Sequence, residues 1–370
     1  MIRHRCGRSV LAVALGATGI SYQGTPVSQS VVLTSLMMVT PTTGWGVGPH
    51  ALWRTTDGGL HWHAVTPPGG VPPNTAATQT LDGTTAWTAA ARPDGVVTVQ
   101  RTRDGGRTWA ASRFVIAAAG GIPPAPVQLL FTSPRQGWLL VGGSGLLGQA
   151  LALFASGDGG QQWTRIALRP PIAGLLGFGA TTGWGISIPG QAPPASFVEV
   201  THDGGRTWQR QSLPVSMGNR TLLTRYGPLS FATAQPGRAV LPVTQFTSTG
   251  TVLVTYATRD GGRRWDVASS LALRTNPTTV LTSFVDAQIG WALAGDTTAA
   301  PPLNVTADGA RHWHEVTPNI PLTEVASLDV VTPRVGFVLM RRVGSQGVAA
   351  VLRTRDGGRR WIILRPQIAT

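Results

Sequence analysis

Thr55-Thr56-Asp57-Gly58-Gly59-Leu60-His61-Trp62 is the stretch that decides the fold, because the chain returns to its pattern six more times. The last copy is Thr354-Arg355-Asp356-Gly357-Gly358-Arg359-Arg360-Trp361, and the others are centred on Asp104, Asp158, Asp203, Asp260 and Asp308. Each copy has Ser or Thr two residues before the Asp, Gly immediately after it, and Trp five residues after it: Trp62, Trp109, Trp163, Trp208, Trp265, Trp313 and Trp361. Successive aspartates are 47, 54, 45, 57, 48 and 48 residues apart. That period suits one four-stranded blade of a β-propeller, so seven copies predict seven blades.

The box itself reads as a hairpin turn. Asp-Gly-Gly between two β runs supplies residues that adopt positive φ, and the carboxylate accepts nearby backbone N–H groups. The Ser or Thr hydroxyl adds a local bond, and the Trp covers the hairpin with its apolar face. These are structural roles for the seven aspartates and seven tryptophans. The sixth box has Ala310 where the others have their second Gly, which costs roughly 1 kcal/mol if the position needs φ > 0.

A second landmark precedes most boxes: Gly44-Trp45, Ala86-Trp87, Gly137-Trp138, Gly183-Trp184 and Gly290-Trp291, with Gly336-Phe337 as a softened copy and only Gly237-Arg238 in the fifth unit. Upstream lies an apolar run carrying Phe131, Phe178, Phe231 or Phe284, and another run separates landmark from box. Each unit therefore reads as strand A, a turn, strand B from Gly-Trp, a loop, strand C, the box turn, and strand D. The expected fold is an all-β, seven-bladed propeller over 27–370, with four antiparallel strands per blade and the box between strands C and D. Every blade is contiguous in sequence, and the ring is expected to close by packing blade 7 on blade 1 without strand exchange.

Composition agrees. The chain has 370 residues, 47 of them Gly and 13 Trp, with 42% hydrophobic residues. It has no lysine, and its 16 acidic residues include only Glu199, Glu315 and Glu324 as glutamates. Helical bundles and coiled coils draw on Glu and Lys for their exposed faces, so this composition argues against both. At the amino terminus, Arg3, Arg5 and Arg8 precede an apolar run from Val10 to Ile20. Residues 1–26 are expected to be an export signal, the run being too short to span a bilayer, with an ordinary N-terminal segment entering a buried first strand as the alternative. The single cysteine, Cys6, lies before that run, which leaves the exported chain without a disulfide.

The boxes resemble the Asp-box, or BNR, repeats of sialidases, sortilin ectodomains and xyloglucan-cleaving propeller enzymes. Coupled to a Gly-Trp strand, Thr-x-Asp-Gly-Gly-x-x-Trp most resembles the photosystem II assembly and stability factor family and its bacterial relatives, along nearly the whole chain after the signal. The resemblance implies a propeller that binds a macromolecular partner without chemistry, as an extracytoplasmic assembly, stability or scaffold factor. Nothing in the sequence makes the host photosynthetic. Propellers carry unrelated activities on one scaffold, so the resemblance speaks for fold more than function.

Two other classes remain open: a glycoside hydrolase of sialidase-like fold, and a carbohydrate or cell-wall polyanion binding module. Glycoside hydrolysis needs two carboxyl groups across a sugar ring. Outside the boxes the chain offers only Asp82, Asp94, Asp266, Asp286, Asp296, Asp329 and the three glutamates, with Glu199, on an expected strand C, the best-placed acid. A sialidase mechanism would need a tyrosine nucleophile and an Arg-Ile-Pro motif, whereas the nearest string here is Arg165-Ile166-Ala167. No catalytic residue is assigned. His61-Trp62-His63 and His312-Trp313-His314 place two imidazoles on one strand face. The position before the box Trp varies freely among Thr108, Gln162, Thr207, Arg264 and Arg360, so no metal or cofactor site is assigned.

The remaining signal is charge, a formal net +14. Box turns would place Arg103, Arg107, Arg206, Arg259, Arg263, Arg311, Arg355 and Arg359 on one rim, with Arg135 and Arg334 in the A–B turns beside them. Arginine follows the Asp-Gly-Gly or Asp-Gly-Ala string at Arg107, Arg206, Arg263, Arg311 and Arg359. These five are the candidates for binding an anionic partner: an acidic protein segment, a membrane surface or a cell-wall polyanion. The competing explanation is an arginine-rich composition that serves solubility alone. Export and the absence of a nucleic-acid motif argue against nucleic acid, and the protein is expected to be a monomer. The opposite face would carry proline-rich loops at 67–74, 120–126, 189–194, 214–227, 274–277 and 296–302.

Overall fold

A computed structural model of the chain describes residues 31–70, 76–92, 94–116, 124–143, 150–187, 197–214, 221–231, 237–274, 277, 279–294, 300–341 and 348–369. The expected export signal and the expected loop 189–194 lie outside these residues, as do parts of the other five expected loops. Seven antiparallel sheets follow one another along the chain, at 35–64, 76–115, 124–168, 172–212, 221–272, 280–316 and 325–364. Together they form a seven-bladed β-propeller, and no helix occurs among the described residues. Every blade runs A-B-C-D from contiguous sequence, as the repeat predicts. In blade 3 these strands are Pro124–Phe131, Gly137–Gly143, Ala150–Ser156 and Thr164–Leu168. Strand D is exposed in most blades, as at Thr164–Leu168 and Gln209–Ser212, while the inner strands are buried, as in GWALA at Gly290–Ala294.

Two expectations about the chain path are corrected. The ring does exchange a strand: Gln367–Ile368 pairs in parallel with His61–Trp62, adding a fifth strand to blade 1. Gln367 N–H donates to the Leu60 carbonyl and Ala369 N–H to the Trp62 carbonyl, both at 2.9 Å. An outer strand leaves a row of unpaired backbone groups, and here the chain end covers that of blade 1. In blade 5, Thr221–Tyr226 lies inside the expected loop 214–227 yet is a strand. With Ser230–Phe231 it forms a two-piece strand A along Ala239–Thr247.

Register also corrects the landmark of the fifth unit. The residue opposite the last strand C threonine is Gly44 in blade 1, Ala86 in blade 2 and Gly290 in blade 6. In blade 5 it is Ala239, opposite Thr258, and the next position holds Val240, opposite Ala257. The counterpart of Gly-Trp is therefore Ala239-Val240, and Gly237-Arg238 lies two residues before it.

Blades are joined in two layers. Near strand A, polar side chains bond across to the next blade's backbone. Gln79 exchanges both amide hydrogen bonds with Phe131, and Gln128 does the same with Leu175. Ser283 accepts from Val330 N–H, while Ser327 donates to the Leu36 carbonyl and Asp329 accepts from Met38 N–H. Part of Asp329 stays accessible to solvent, but its carboxyl is enclosed by protein, and that burial pushes its pKa up to about 7. Nearer the box turns, the Gly-Trp indole inserts into the next blade. Trp87 stacks on Phe131 at 3.8 Å between ring centroids and Trp138 on Phe178 at 4.0 Å, each Phe then meeting its own blade's box Trp edge-on. Trp87 N–H donates to the Gly159 carbonyl and Trp138 N–H to the Gly204 carbonyl, whereas Trp45 N–H donates to the Asp82 carbonyl and Trp184 N–H is buried without a partner among the described residues.

Candidate functional site

The box turns share one geometry. In all seven, the Ser or Thr hydroxyl donates to the Asp carboxylate, as Thr201 does to Asp203 at 2.8 Å. The same oxygen accepts the backbone N–H two residues after the Asp, as from Gly205 at 2.8 Å. The carboxylate in turn accepts N–H groups from the end of the turn, such as Arg206 and Thr207 on Asp203. These bonds select the ionised form. The Thr108 hydroxyl and N–H hold Asp104 at about 2, and the Thr207 N–H and hydroxyl hold Asp203 lower still. At Asp308 burial opposes the shift, but bonds to His312 overcome it and hold the pKa at about 2. Ala310 sits at φ 63°, where the other boxes have Gly at positive φ, so the expected strain is present.

A contact repeated seven times fixes where these turns lie. The Gly after each Asp donates its N–H to a carbonyl in the A–B turn of the same blade: Thr42, Thr84, Arg135, Thr181, Gly237, Gln288 and Arg334 accept in turn. Box turns and A–B turns therefore share one face of the ring. All eight box-turn arginines are exposed there, as are Arg135 and Arg334. The arginine ion pairs among the described residues are Arg92–Asp94, Arg210–Glu199, Arg264–Asp266 and Arg274–Glu315. None of the eight takes part. Arg206 and Arg359 fold back so that Nη1 donates to the carbonyls of Asp203 and Asp356, leaving four of the five N–H groups of each guanidinium for a ligand.

The sequence reading passed over a second set of arginines. Arg54, Arg101 and Arg353 immediately precede the box threonine on strand C and reach the next blade's turns. Arg54 Nε donates to the Gly83 carbonyl, and Arg101 Nη1 to those of Asp158 and Gly159. Burial lowers the pKa of all three, and the like charges of Arg107, Arg103 and Arg355 beside them lower it further. Their signal was available: the position before the box Ser or Thr is Arg in the first, second and seventh units.

Other candidates are separated by the fold. Glu199 lies on strand C of blade 4 (Phe197–Thr201) as expected, but it is 3% exposed and not on an open edge. Arg210 Nε and the Ser187 hydroxyl both bond to its Oε1, at 3.0 and 2.9 Å. Both partners belong to its own blade, and neither is a carboxyl. His61 and His312 each bond through Nδ1 to the box aspartate of their own turn, at 2.6 Å. Among the described residues, no three His, Cys, Asp or Glu side chains gather as a metal site. Of the seven box tryptophans, Trp62, Trp265 and Trp361 are buried, whereas Trp109, Trp163, Trp208 and Trp313 are half-buried. The box indole is thus less enclosed than expected, and the Gly-Trp indole is the buried one.

Fold and rim together define a seven-bladed propeller with a basic face. No family model matches the sequence, and no curated protein sequence matches it. Solved structures do match in fold. YCF48 bound to D1 peptide aligns at 18% identity with a TM-score of 0.54, covering 89% of this chain and 92% of that one. YCF48 from Cyanidioschyzon merolae aligns at 16% with a TM-score of 0.49, covering 79% and 86%. The GH74 xyloglucanase from Xanthomonas campestris aligns at 14% with a TM-score of 0.56, covering 90% of this chain and 54% of that enzyme. At these identities the likeness is one of fold, and it extends to a peptide-bound protein and to a glycoside hydrolase alike.

Proposed function

We propose that this propeller is an exported, non-catalytic binding protein that engages an acidic segment of a protein partner through its box face, as an assembly, stability or scaffold factor. The observation that carries the proposal is the set of eight exposed box-turn arginines on one face, none of them ion-paired. Single exposed ion pairs contribute about 0–1 kcal/mol, but several guanidinium groups acting on one anionic segment add up and steer its approach. A similar fold with a peptide bound, in YCF48, supports a protein partner. Export is inferred from the basic and then apolar amino terminus. In the hydrolase reading the best-placed acid, Glu199, is engaged by Arg210 and Ser187.

The test is a salt series. An acidic peptide should bind tightly at low ionic strength and weaken steeply as the screening length falls to about 8 Å near physiological salt. Replacing Arg206, Arg263 and Arg359 together by Gln should abolish binding and leave the melting temperature nearly unchanged. Equal binding by the triple variant, or no salt-sensitive binding by the wild type, would refute the proposal. Retention on anionic liposomes without peptide binding would make the partner a membrane surface instead.

A further inference from the structure

The joint between blades 5 and 6 lacks the ring that other joints contain. Val240 stands where Trp87 and Trp138 stand in blades 2 and 3. The receiving side keeps part of what meets an indole elsewhere, although Ala310 replaces the second box glycine, where a Cβ at Gly160 would stand 3.5 Å from Trp87 Cδ1. Phe284 packs on Gly290 as Phe131 packs on Gly137, and it meets its box tryptophan, Trp313, edge-on at 6.1 Å. The Gly309 carbonyl is the counterpart of the Gly159 and Gly204 carbonyls that accept the Trp87 and Trp138 N–H groups, and Val240 has no donor to offer it.

A cavity of about 210 Å³ opens at this joint, with Val240, Ala287 and Gly309 on its walls and Arg238, Arg259 and Arg311 around it. Two carboxylates also border it, and both are engaged. Asp266 pairs with Arg264, and Asp308 accepts from its own box and from His312. The cavity is below the roughly 300–1,000 Å³ of sites that enclose a drug-sized ligand, a volume matched to one side chain.

We infer that this cavity receives a tryptophan side chain from a partner segment that also carries carboxylates. The indole fills the space beside Val240, its N–H donating to the Gly309 carbonyl as those of Trp87 and Trp138 donate to Gly159 and Gly204. Flanking carboxylates engage Arg238, Arg259 and Arg311 at the mouth. The inference rests on the proposed reading of the box face and adds a point of sequence selectivity to it.

The experiment compares two synthetic acidic peptides, identical except for a central Trp or Ala, by calorimetry on the full chain. Wild type should prefer the Trp peptide by about tenfold or more, as expected for an aromatic anchor in a fitted pocket. Val240→Trp, which fills the cavity with the residue used elsewhere in the ring, should erase that preference and keep the salt-sensitive binding of the Ala peptide. Ala257→Phe is a second blocking variant, since Ala257 also lines the cavity and a ring there would occupy it. It should erase the preference too, and it serves if Val240→Trp does not fold. Equal affinity of wild type for both peptides, or a preference that survives the blocking variants, would overturn the pocket while leaving the arginine reading intact. If neither peptide bound wild type, both readings would fall.

Discussion

The joints between blades 3 and 4 and between blades 5 and 6 come from the same repeat, and the second has Val240 in place of an inserted indole and Ala310 in place of the second box glycine. At the first, Trp138 is 2% exposed, stacked on Phe178 and bonded to Gly204. At the second, Val240 reaches less far and a cavity remains beside Gly309. The difference teaches where a repeat protein finds room for function. Packing residues repeat because every joint needs them, so a unit that drops one creates a fitted vacancy whose shape the other units already define.

The largest expected effect separates the two joints directly. Trp138→Ala should cost about 3–5 kcal/mol, because it removes a buried ring and leaves a cavity. Val240→Ala, losing two methyl groups beside existing space, should cost about 1–2 kcal/mol on transfer grounds. Denaturant midpoints would check this, and comparable losses would mean that the 5–6 joint is as closely packed as the others.

A smaller effect concerns the turns that receive the indoles. Asp203→Ala should cost about 1–2 kcal/mol through its lost turn bonds. Asp308→Ala should cost less, because no indole is seated on its turn. The pH dependence follows from the lowered pKa of both groups, about 2 for Asp308. Their stabilisation is complete above the unfolded carboxyl value near about 4 and is lost as pH falls through the folded value. Melting curves should therefore show wild type losing stability from about pH 4 downward more steeply than the Asp203→Ala, Asp308→Ala double variant. Parallel curves would show that the carboxylates contribute nothing as ions.

The blade count, the strand order and the placing of the boxes were legible because the signal is local and repeated: Asp57 and its six counterparts each bond within their own turn. What was not legible depends on neighbours distant in sequence. Gln79 reads as an ordinary strand residue until Phe131, 52 residues on, is placed against it. Gln367–Ile368 carries too short a pattern to announce a strand, and only the open edge at His61–Trp62 makes it one. In blade 5 the landmark was misplaced because the aromatic that marks the register is the residue that was lost. The same loss hid the cavity. Of the candidate site, the arginines after each box were visible, while Arg54, Arg101 and Arg353 gain their position only from the next blade.

The central claim, that the box face is where a partner binds, is most directly tested by amide hydrogen exchange with and without an acidic tryptophan-bearing peptide. The account predicts added protection in the turns 203–207, 260–264 and 308–312, strongest in the last, with the outer strands unchanged. Protection that spared these turns and appeared only on strand ends and connections at the opposite end of the blades would contradict it.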